Sequence, residues 1–390
     1  MKKTLIALAA LGAMAGAAQA QSTVTIYGLL DANIGSYKTN QVSGAAISGL
    51  SQAKIDAGGL NGSRWGIRFS EDIGGGMAVI GNLESGFNLD TGASAQGGLL
   101  FGRRANVGIS SGFGTVTIGR NSSSYDDVSG DHAMMGATLF DPSNTNNGFS
   151  TAQAGAIGTL AGNAVLLNHN GNGSGAHVTW VGFNTRFNNS IKYVSPNFGG
   201  FTGSFMYAFG EDKTAAVSAS NTVSANLKYA NGPLVVSGGY QSEGAARTAT
   251  TKPALTNTLL NVSYDFGVAK VGFGANRAKF KDVTTTFSPT GVAVAAHELA
   301  AQKEYSLSVA VPLGATTLSA GYARSKGDDL GSSTGWGVQA LYSLSKRTTL
   351  YTGAVSTKNY SNVAANTMVI APTSNITRTT TYAAGIRHTF

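Results

Sequence analysis

The chain is most constrained by an alternation of apolar and polar residues that recurs in segments of about ten residues along nearly its whole length. Tyr305, Leu307 and Val309, for example, alternate with Ser306 and Ser308. Successive side chains of a β-strand point to opposite faces of a sheet, so each segment is predicted to be a strand with one apolar and one small or polar face. The pattern predicts an all-β protein.

The connections between the predicted strands are of two kinds. Seven are short and rich in turn-forming residues, at 71–76, 111–114, 196–200, 231–233, 265–267, 312–314 and 345–347. Eight are long and polar, at 38–61, 88–99, 121–182, 211–220, 241–256, 277–302, 325–334 and 358–377. These fifteen connections join sixteen strands, with the short turns at one end and the long loops at the other.

An even number of strands of about ten residues, with short turns at one end and long loops at the other, is typical of a transmembrane β-barrel. A barrel leaves no open sheet edge, which a lipid environment requires. A soluble β-sandwich or β-helix is the alternative, because periodicity by itself does not exclude it. Aromatic residues at the predicted strand ends, opposite a face of small and polar residues, favour a 16-stranded antiparallel transmembrane β-barrel.

Composition agrees with two alternating faces. Of 390 residues 53 are glycine, and 12% are charged, against about 25% in an ordinary soluble domain. The mean hydropathy is nevertheless close to neutral, at +0.01, as expected when one face meets lipid and the other water. The absence of cysteine from the sequence excludes a disulfide framework, a thiolate metal site and a cysteine nucleophile.

Residues 1–20 have the pattern of a secretory signal peptide. Lys2 and Lys3 precede an uncharged apolar run at 5–18, and Ala18-Gln19-Ala20 is an A-x-A cleavage signal. The run is shorter than the ~20 residues that a spanning helix needs. Cleavage would leave 21–390 as the barrel and, by removing two lysines, lower the formal net charge from +8 to +6. No basic run or basic–aromatic cluster predicts a nucleic-acid partner.

The last predicted strand ends on Phe390, on the apolar parity of Tyr382 and Ile386. A terminal aromatic residue on an alternating strand resembles the signal by which the insertion machinery recognises outer-membrane barrels. Phe390 is therefore the expected assembly signal, and this strand is expected to close the barrel against the first strand, near residues 23–37.

Several motifs, in this order, resemble the Gram-negative general porins of the β-proteobacterial (neisserial-type) family. They are VTIYGLLD at 24–31, SRWGIR at 63–68 with EDIG at 71–74, GFGTVTIGR at 112–120, NSIKY at 189–193 and GIRHTF at 385–390. The resemblance implies a homotrimeric, water-filled outer-membrane channel for small hydrophilic solutes, with a preference for anions in many members. Outer-membrane lipid and lipopolysaccharide would surround it, and no cofactor is implied.

The resemblance also implies that the third loop, 121–182, folds into the lumen and narrows the pore. Its acidic residues Asp126, Asp127 and Asp131 would form one side of the constriction. A surface loop is the alternative. The loop is longer than the family's usual third loop, and residues 165–167 and 178–181 are candidate strands of an added surface hairpin.

Arginines and a lysine on the polar parity would form the other side of the constriction: Arg64, Arg68, Arg186 and Lys192. Arg103 and Arg104 are adjacent, so alternation admits only one of them. Parity with Val107 selects Arg104, whereas the family alignment selects Arg103 and would need a bulge. By resemblance Arg64, Arg103 and Arg186 match the family's basic wall. The alternative for each of these residues is that it is a solvated charge in the lumen with little effect on the passage of ions. Cations facing a loop carboxylate cluster predict a modest preference for anions.

Two other functions compete with a channel. An outer-membrane barrel hydrolase would need a nucleophile and a base, but no G-x-S-x-G or phosphate-loop motif occurs, so no catalytic residue is predicted. The second competing function is that of an adhesin or a secreted β-protein. No H-x-H or H-x-x-x-H pair occurs, so no metal site is predicted either.

Overall fold

The computed structural model of this chain describes residues 22–43, 46–143, 179–244, 247–282, 284–285, 295, 297–358, 360–361 and 376–390. The predicted signal peptide at 1–20 lies outside these residues. Within them, no helix is both long enough and apolar enough to cross a membrane.

The described residues form nineteen strands. They are β1 (Thr23–Ser43), β2 (Ala46–Ala57), β3 (Arg64–Gly74), β4 (Met77–Gly86), β5 (Arg104–Ser111), β6 (Gly114–Ser122), β7 (Arg186–Val194), β8 (Phe201–Phe209), β9 (Asn221–Asn231), β10 (Leu234–Gly244), β11 (Ala254–Asp265), β12 (Lys270–Lys281), β13 (Thr284–Thr285), β14 (His297–Glu298), β15 (Gln302–Leu313), β16 (Thr316–Gly327), β17 (Gly331–Ser343), β18 (Thr348–Lys358) and β19 (Ile376–Thr389). A short helix α1 (Asp126–Ser129) and a 3₁₀ turn (Gln96–Gly98) complete the secondary structure.

The sheet closes on itself. Neighbouring strands pair antiparallel, and β1 pairs with β19 from Leu29 opposite Thr389 to Gln41 opposite Ile376. Sixteen strands form the closed wall, β2 lies only against the second half of β1, and β13 and β14 form a separate small hairpin. The predicted 16-stranded antiparallel barrel is therefore confirmed.

One predicted loop, 38–61, is instead a hairpin. The first part of β1 pairs with β3, and the chain then continues as a β-ribbon with β2. Residues 38–43 contain a single apolar residue, Val42, so the alternation that marks a membrane-facing strand is missing there. Of the predicted surface hairpin, 165–167 and Val178 lie outside the described residues, and 179–181 are not a strand.

The two faces of the wall differ as the alternation predicts. Leu227, Leu260 and Leu307 are 59%, 59% and 56% exposed, whereas the adjacent polar residues Asn261 and Ser306 are buried. Aromatic residues lie near both ends of the apolar face: Tyr229 and Tyr264 near the short turns, Tyr305, Tyr322 and Trp336 nearer the long loops. An apolar outer face with two aromatic bands is what a membrane-spanning barrel requires.

Phe390 closes the seam of the barrel. Its N–H donates to the Gly28 carbonyl at 3.0 Å, and the Gly28 N–H donates to the Phe390 carbonyl at 3.1 Å. A Cβ atom at Gly28 would collide with the Phe390 ring, so a glycine is needed where the last residue packs on the first strand. The role of Phe390 as an assembly signal stays a prediction.

Candidate functional site

Glu84 on β4 gathers two of the predicted arginines. Its Oε1 accepts a hydrogen bond from Arg103 Nε at 2.6 Å, and its Oε2 lies 4.0 Å from Arg64 Nε. The Tyr27 hydroxyl donates to Oε2 at 2.8 Å. Both arginines were predicted from the sequence, whereas Glu84 was missed, although it shares the polar parity of Asn82.

Arg103 and Arg104 both reach the polar face. Arg104 lies directly opposite Glu84 in the β4–β5 register, and the pairing continues from there to Ser110 without a bulge. Arg103 precedes the strand, and its N–H donates to the Glu84 carbonyl. The expectation that only one of the two could face inward is wrong. Alternation of side-chain direction applies only to residues within a strand, and Arg103 lies outside β5.

Arg68 and Arg104 line a cavity of roughly 660 Å³ that is bounded by β1, by β3 to β9 and by the segment after β6. The Arg68 guanidinium lies over the Tyr27 ring, 4.3 Å from its centroid. Neither arginine has a carboxylate within ion-pair distance in the part of the chain that the structure describes. Lys192, Lys228 and Asp127 line the same cavity.

The segment that follows β6 runs along the polar faces of later strands. The Tyr125 N–H donates to Ser224 Oγ at 2.8 Å, and its buried hydroxyl donates to Asn276 Oδ1 at 3.0 Å. The Met134 N–H donates to Ser308 Oγ at 2.9 Å. A Cβ atom at Gly274 would meet the His132 ring, so this glycine provides the room that the segment needs.

Two ion pairs hold the acidic part of this segment. Lys192 Nζ lies 2.6 Å from Asp127 Oδ2, and Lys228 Nζ lies 2.7 Å from Asp131 Oδ1. Lys192 and the two aspartates were predicted to belong to opposite sides of a constriction; Lys192 and Asp127 are direct partners. Lys228 was missed, although it shares the polar parity of Asn226 on β9.

Asp126 lies within electrostatic reach of three predicted cations. Its burial raises the pKa of the carboxyl to about 6, against the opposing effects of Arg186, Lys192 and Arg104. Arg186 itself begins β7 and donates a hydrogen bond to Thr185 Oγ1 at 3.0 Å. All the predicted cations are thus brought to one region, around α1 and Glu84.

The returning part of the segment, 179–185, is anchored by two buried glutamates. Glu304 Oε1 accepts a hydrogen bond from the Val181 N–H at 2.5 Å, and Glu243 accepts the Asn184 N–H at 2.8 Å. Neither glutamate has a cation within ion-pair distance among the described residues. Neither anchor was predicted from the sequence.

A serine, a histidine and an aspartate come together on the segment but not as a catalytic triad. Ser143 Oγ donates to Asp141 at 2.7 Å and lies 3.4 Å from His132 Nε2, and all three residues are buried. In a triad the carboxylate orients the histidine, whereas here Asp141 binds the serine. Burial also lowers the pKa of His132 to about 4, so its ring is neutral at pH 7. Nor do the described residues contain a group of three or more metal-ligating side chains.

The charges of this region do not balance. We call the charged residues of the cavity, of the α1 segment and around Glu84 the inner charge cluster. It consists of the cations Arg64, Arg68, Arg103, Arg104, Arg186, Lys192 and Lys228 and the acids Glu84, Asp126, Asp127 and Asp131. The cluster has an excess of three cations.

Comparison with known proteins decides the family. The model of the Gram-negative porin family matches residues 7–362. The chain belongs to the Gram-negative porins. This porin is 33% identical over 298 residues to an outer membrane porin protein of Bordetella pertussis, covering 71% of the chain and 69% of the relative. It is 35% identical over 285 residues to outer membrane porin protein 32 of Delftia acidovorans, covering 72% and 71%.

Solved porin structures share the fold. The anion-selective porin from Comamonas acidovorans is 26% identical, with a TM-score of 0.71 over 95% of this chain and 100% of that chain. The trimer form of OmpT from Vibrio cholerae, at 17% identity, has a TM-score of 0.56 over 95% and 99%. The porin is thus a multi-pass outer-membrane barrel and a general diffusion channel, and its family is one of channels rather than enzymes.

Proposed function

We propose that this porin passes small hydrophilic solutes through an aqueous lumen with a modest preference for anions, and that 121–182 narrows this lumen. The excess of three cations in the inner charge cluster supports the preference. Sixteen-stranded barrels are wide enough to leave an aqueous channel. The hydrogen bonds from Tyr125 and Met134 to the polar faces of β9, β12 and β15 support the position of the loop.

The selectivity needs no bond chemistry, and we assign the protein no catalytic step. Passing ions meet cations whose positions are fixed by acids and aromatic rings, such as Arg103 on Glu84 and Arg68 on Tyr27. A unit charge ~8 Å from an ion in water contributes about 0.5 kcal/mol, so a small excess biases entry without trapping the ion. The similar porin from Comamonas acidovorans is anion-selective, which agrees with this direction.

We further propose that the porin is a homotrimer, surrounded by lipid and lipopolysaccharide and inserted through recognition of Phe390. The apolar outer faces of the first and last strands, with Ile26, Ile34 and Ile386 exposed, suit either a partner subunit or lipid. The trimer form of OmpT supports this proposal, because it has the same fold.

Planar-bilayer recording tests the proposal. We expect three equal closing steps for each inserted unit, and a zero-current potential of the anion-selective sign under a salt gradient. A cation-selective potential would overturn the anion preference, and single closing steps would overturn the trimer. Liposome swelling with small neutral sugars tests the general diffusion pathway independently of charge.

A further inference from the structure

A second group of cations lies on the outside of the barrel. Along β12, β15 and β16 the outward positions near the long-loop end are basic and exposed, while the positions between them are buried. We call these residues the outer basic patch. It consists of Arg277, Lys279, Lys281, Lys303, Arg324 and Lys326.

The cations of the outer basic patch face one another across strands. Arg277 is directly opposite Lys303, and Lys303 is directly opposite Lys326. Like charges in direct cross-strand pairs are destabilising. None of the six has a carboxylate within ion-pair distance or a side-chain hydrogen bond among the residues that the structure describes. An anion bound from outside the protein would reduce the repulsion between these cations.

The outer basic patch has a defined height in the membrane. Tyr305 and Tyr322 belong to the aromatic band nearer the long loops. Lys303 and Arg324 each lie one outward position beyond one of these tyrosines, toward the long loops. Two residues along a strand span ~7 Å, so the charges lie just outside the band that marks the edge of the hydrocarbon. Long loops face the cell exterior in such barrels, which places the patch at the headgroups of the outer leaflet.

We propose that the outer basic patch binds the phosphate groups of lipopolysaccharide, the phosphorylated glycolipid of that leaflet. The guanidinium groups of Arg277 and Arg324 can each bind a phosphate through two N–H donors, and the lysines add charge. The glycolipid's acyl chains would lie on the apolar residues below, Phe273 and Leu307. The proposal assigns residues to one lipid partner, and it rests on the membrane placement of the barrel rather than on ion selectivity.

The test compares two variants that lose the same charge. Arg277→Gln/Lys303→Gln/Lys326→Gln removes the opposed row, and Lys270→Gln/Lys346→Gln/Arg347→Gln removes three cations near the short turns. All six residues lie at solvent-accessible positions, and circular dichroism and heat-modified gel mobility check that both variants fold. Binding of rough lipopolysaccharide to each detergent-solubilised porin is then titrated at fixed salt.

Each cation near a charged membrane surface contributes about 1 kcal/mol, so the first variant should bind lipopolysaccharide on the order of 100-fold more weakly. The control should stay within about twofold of the unchanged porin, and dephosphorylated glycolipid should bind weakly to all three. Equal binding by the two variants would overturn the proposal. So would competition by millimolar inorganic phosphate alone, or equal affinity for phosphatidylglycerol vesicles, because either would mean that the site is not selective for the glycolipid.

The outcome is separable from that of the proposed function. The outer variant should keep the conductance and the zero-current potential of the unchanged porin, because its cations lie outside the lumen. A loss of glycolipid binding with unchanged selectivity supports the assignment even if the pore proves to prefer cations.

Discussion

The inner charge cluster and the outer basic patch both bring cations together, but they differ in their acids. Inside, Arg103 binds Glu84, Lys192 binds Asp127 and Lys228 binds Asp131. Outside, no cation of the patch has an acid partner among the described residues. The two regions lie on opposite faces of one wall.

This difference separates two uses of positive charge. Acids inside hold several of the cations in fixed positions, and the excess of cations that remains favours an anion without retaining it. Unpaired cations outside repel one another and are stabilised by a ligand that stays. Cations paired with acids suit an ion that passes through, whereas unpaired cations suit a lipid that stays bound.

The largest effect is expected from reversing Arg68 and Arg104, two inner cations that have no carboxylate within ion-pair distance among the described residues. Arg68→Glu/Arg104→Glu changes the excess of three cations into a deficit of one. With about 0.5 kcal/mol for each unit charge, the anion-to-cation permeability ratio should fall roughly tenfold or more and the zero-current potential should change sign. Lys303→Glu/Lys326→Glu is the matched control outside, and it should leave the potential unchanged. A similar shift in both variants would remove the distinction between the two regions.

A smaller effect is expected from breaking one inner ion pair. Asp127→Asn leaves Lys192 without its acid and should raise the anion-to-cation permeability ratio about twofold, whereas Lys192→Met should lower it by a similar factor. The double variant restores the charge balance and should restore the ratio. If the double variant differs from the unchanged porin as much as either single variant, the pair acts through loop position and not through charge.

The smallest effect is expected from pH. Because the pKa of Asp126 is raised to about 6, the carboxylate is charged above that pH and neutral below it. Lowering the pH from about 7.5 to about 5 removes one negative charge and should raise the anion preference by less than about twofold. Asp126→Asn should abolish this dependence. Asp141→Asn should not, although burial also raises the pKa of Asp141 to about 6, since Asp141 lies outside the inner charge cluster.

Alternation along the strands predicted much of the site. It predicted Arg64, Arg68 and Lys192 on the polar face. In the structure Arg68 and Lys192 line the cavity and Arg64 lies beside Glu84. Glu84 and Lys228 obey the same rule, and Glu84 was missed because the acids were sought in the third loop. Arg103 escapes the rule because it precedes β5.

The position of the segment after β6 depends on contacts between residues far apart in the sequence, which no local sequence pattern predicts. The hydrogen bond from Tyr125 to Asn276 joins residues 151 positions apart, and the one from Val181 to Glu304 joins residues 123 apart. Most of the outer basic patch was missed for a different reason. Loops were predicted at 277–302 and 325–334, whereas β12 continues to Lys281 and β16 to Gly327. The sequence pattern therefore gave no prediction of which face of the barrel wall those cations occupy.

The central claim is that the excess charge of the inner cluster sets the selectivity, and the salt dependence of the zero-current potential tests it most directly. Screening shortens the reach of a charge from ~30 Å at 0.01 M salt to ~3 Å at 1 M. At a fixed concentration ratio of potassium chloride, the potential should report a clear anion preference in dilute salt that fades in concentrated salt. A cation preference, or an anion preference that does not change with salt, would contradict the account.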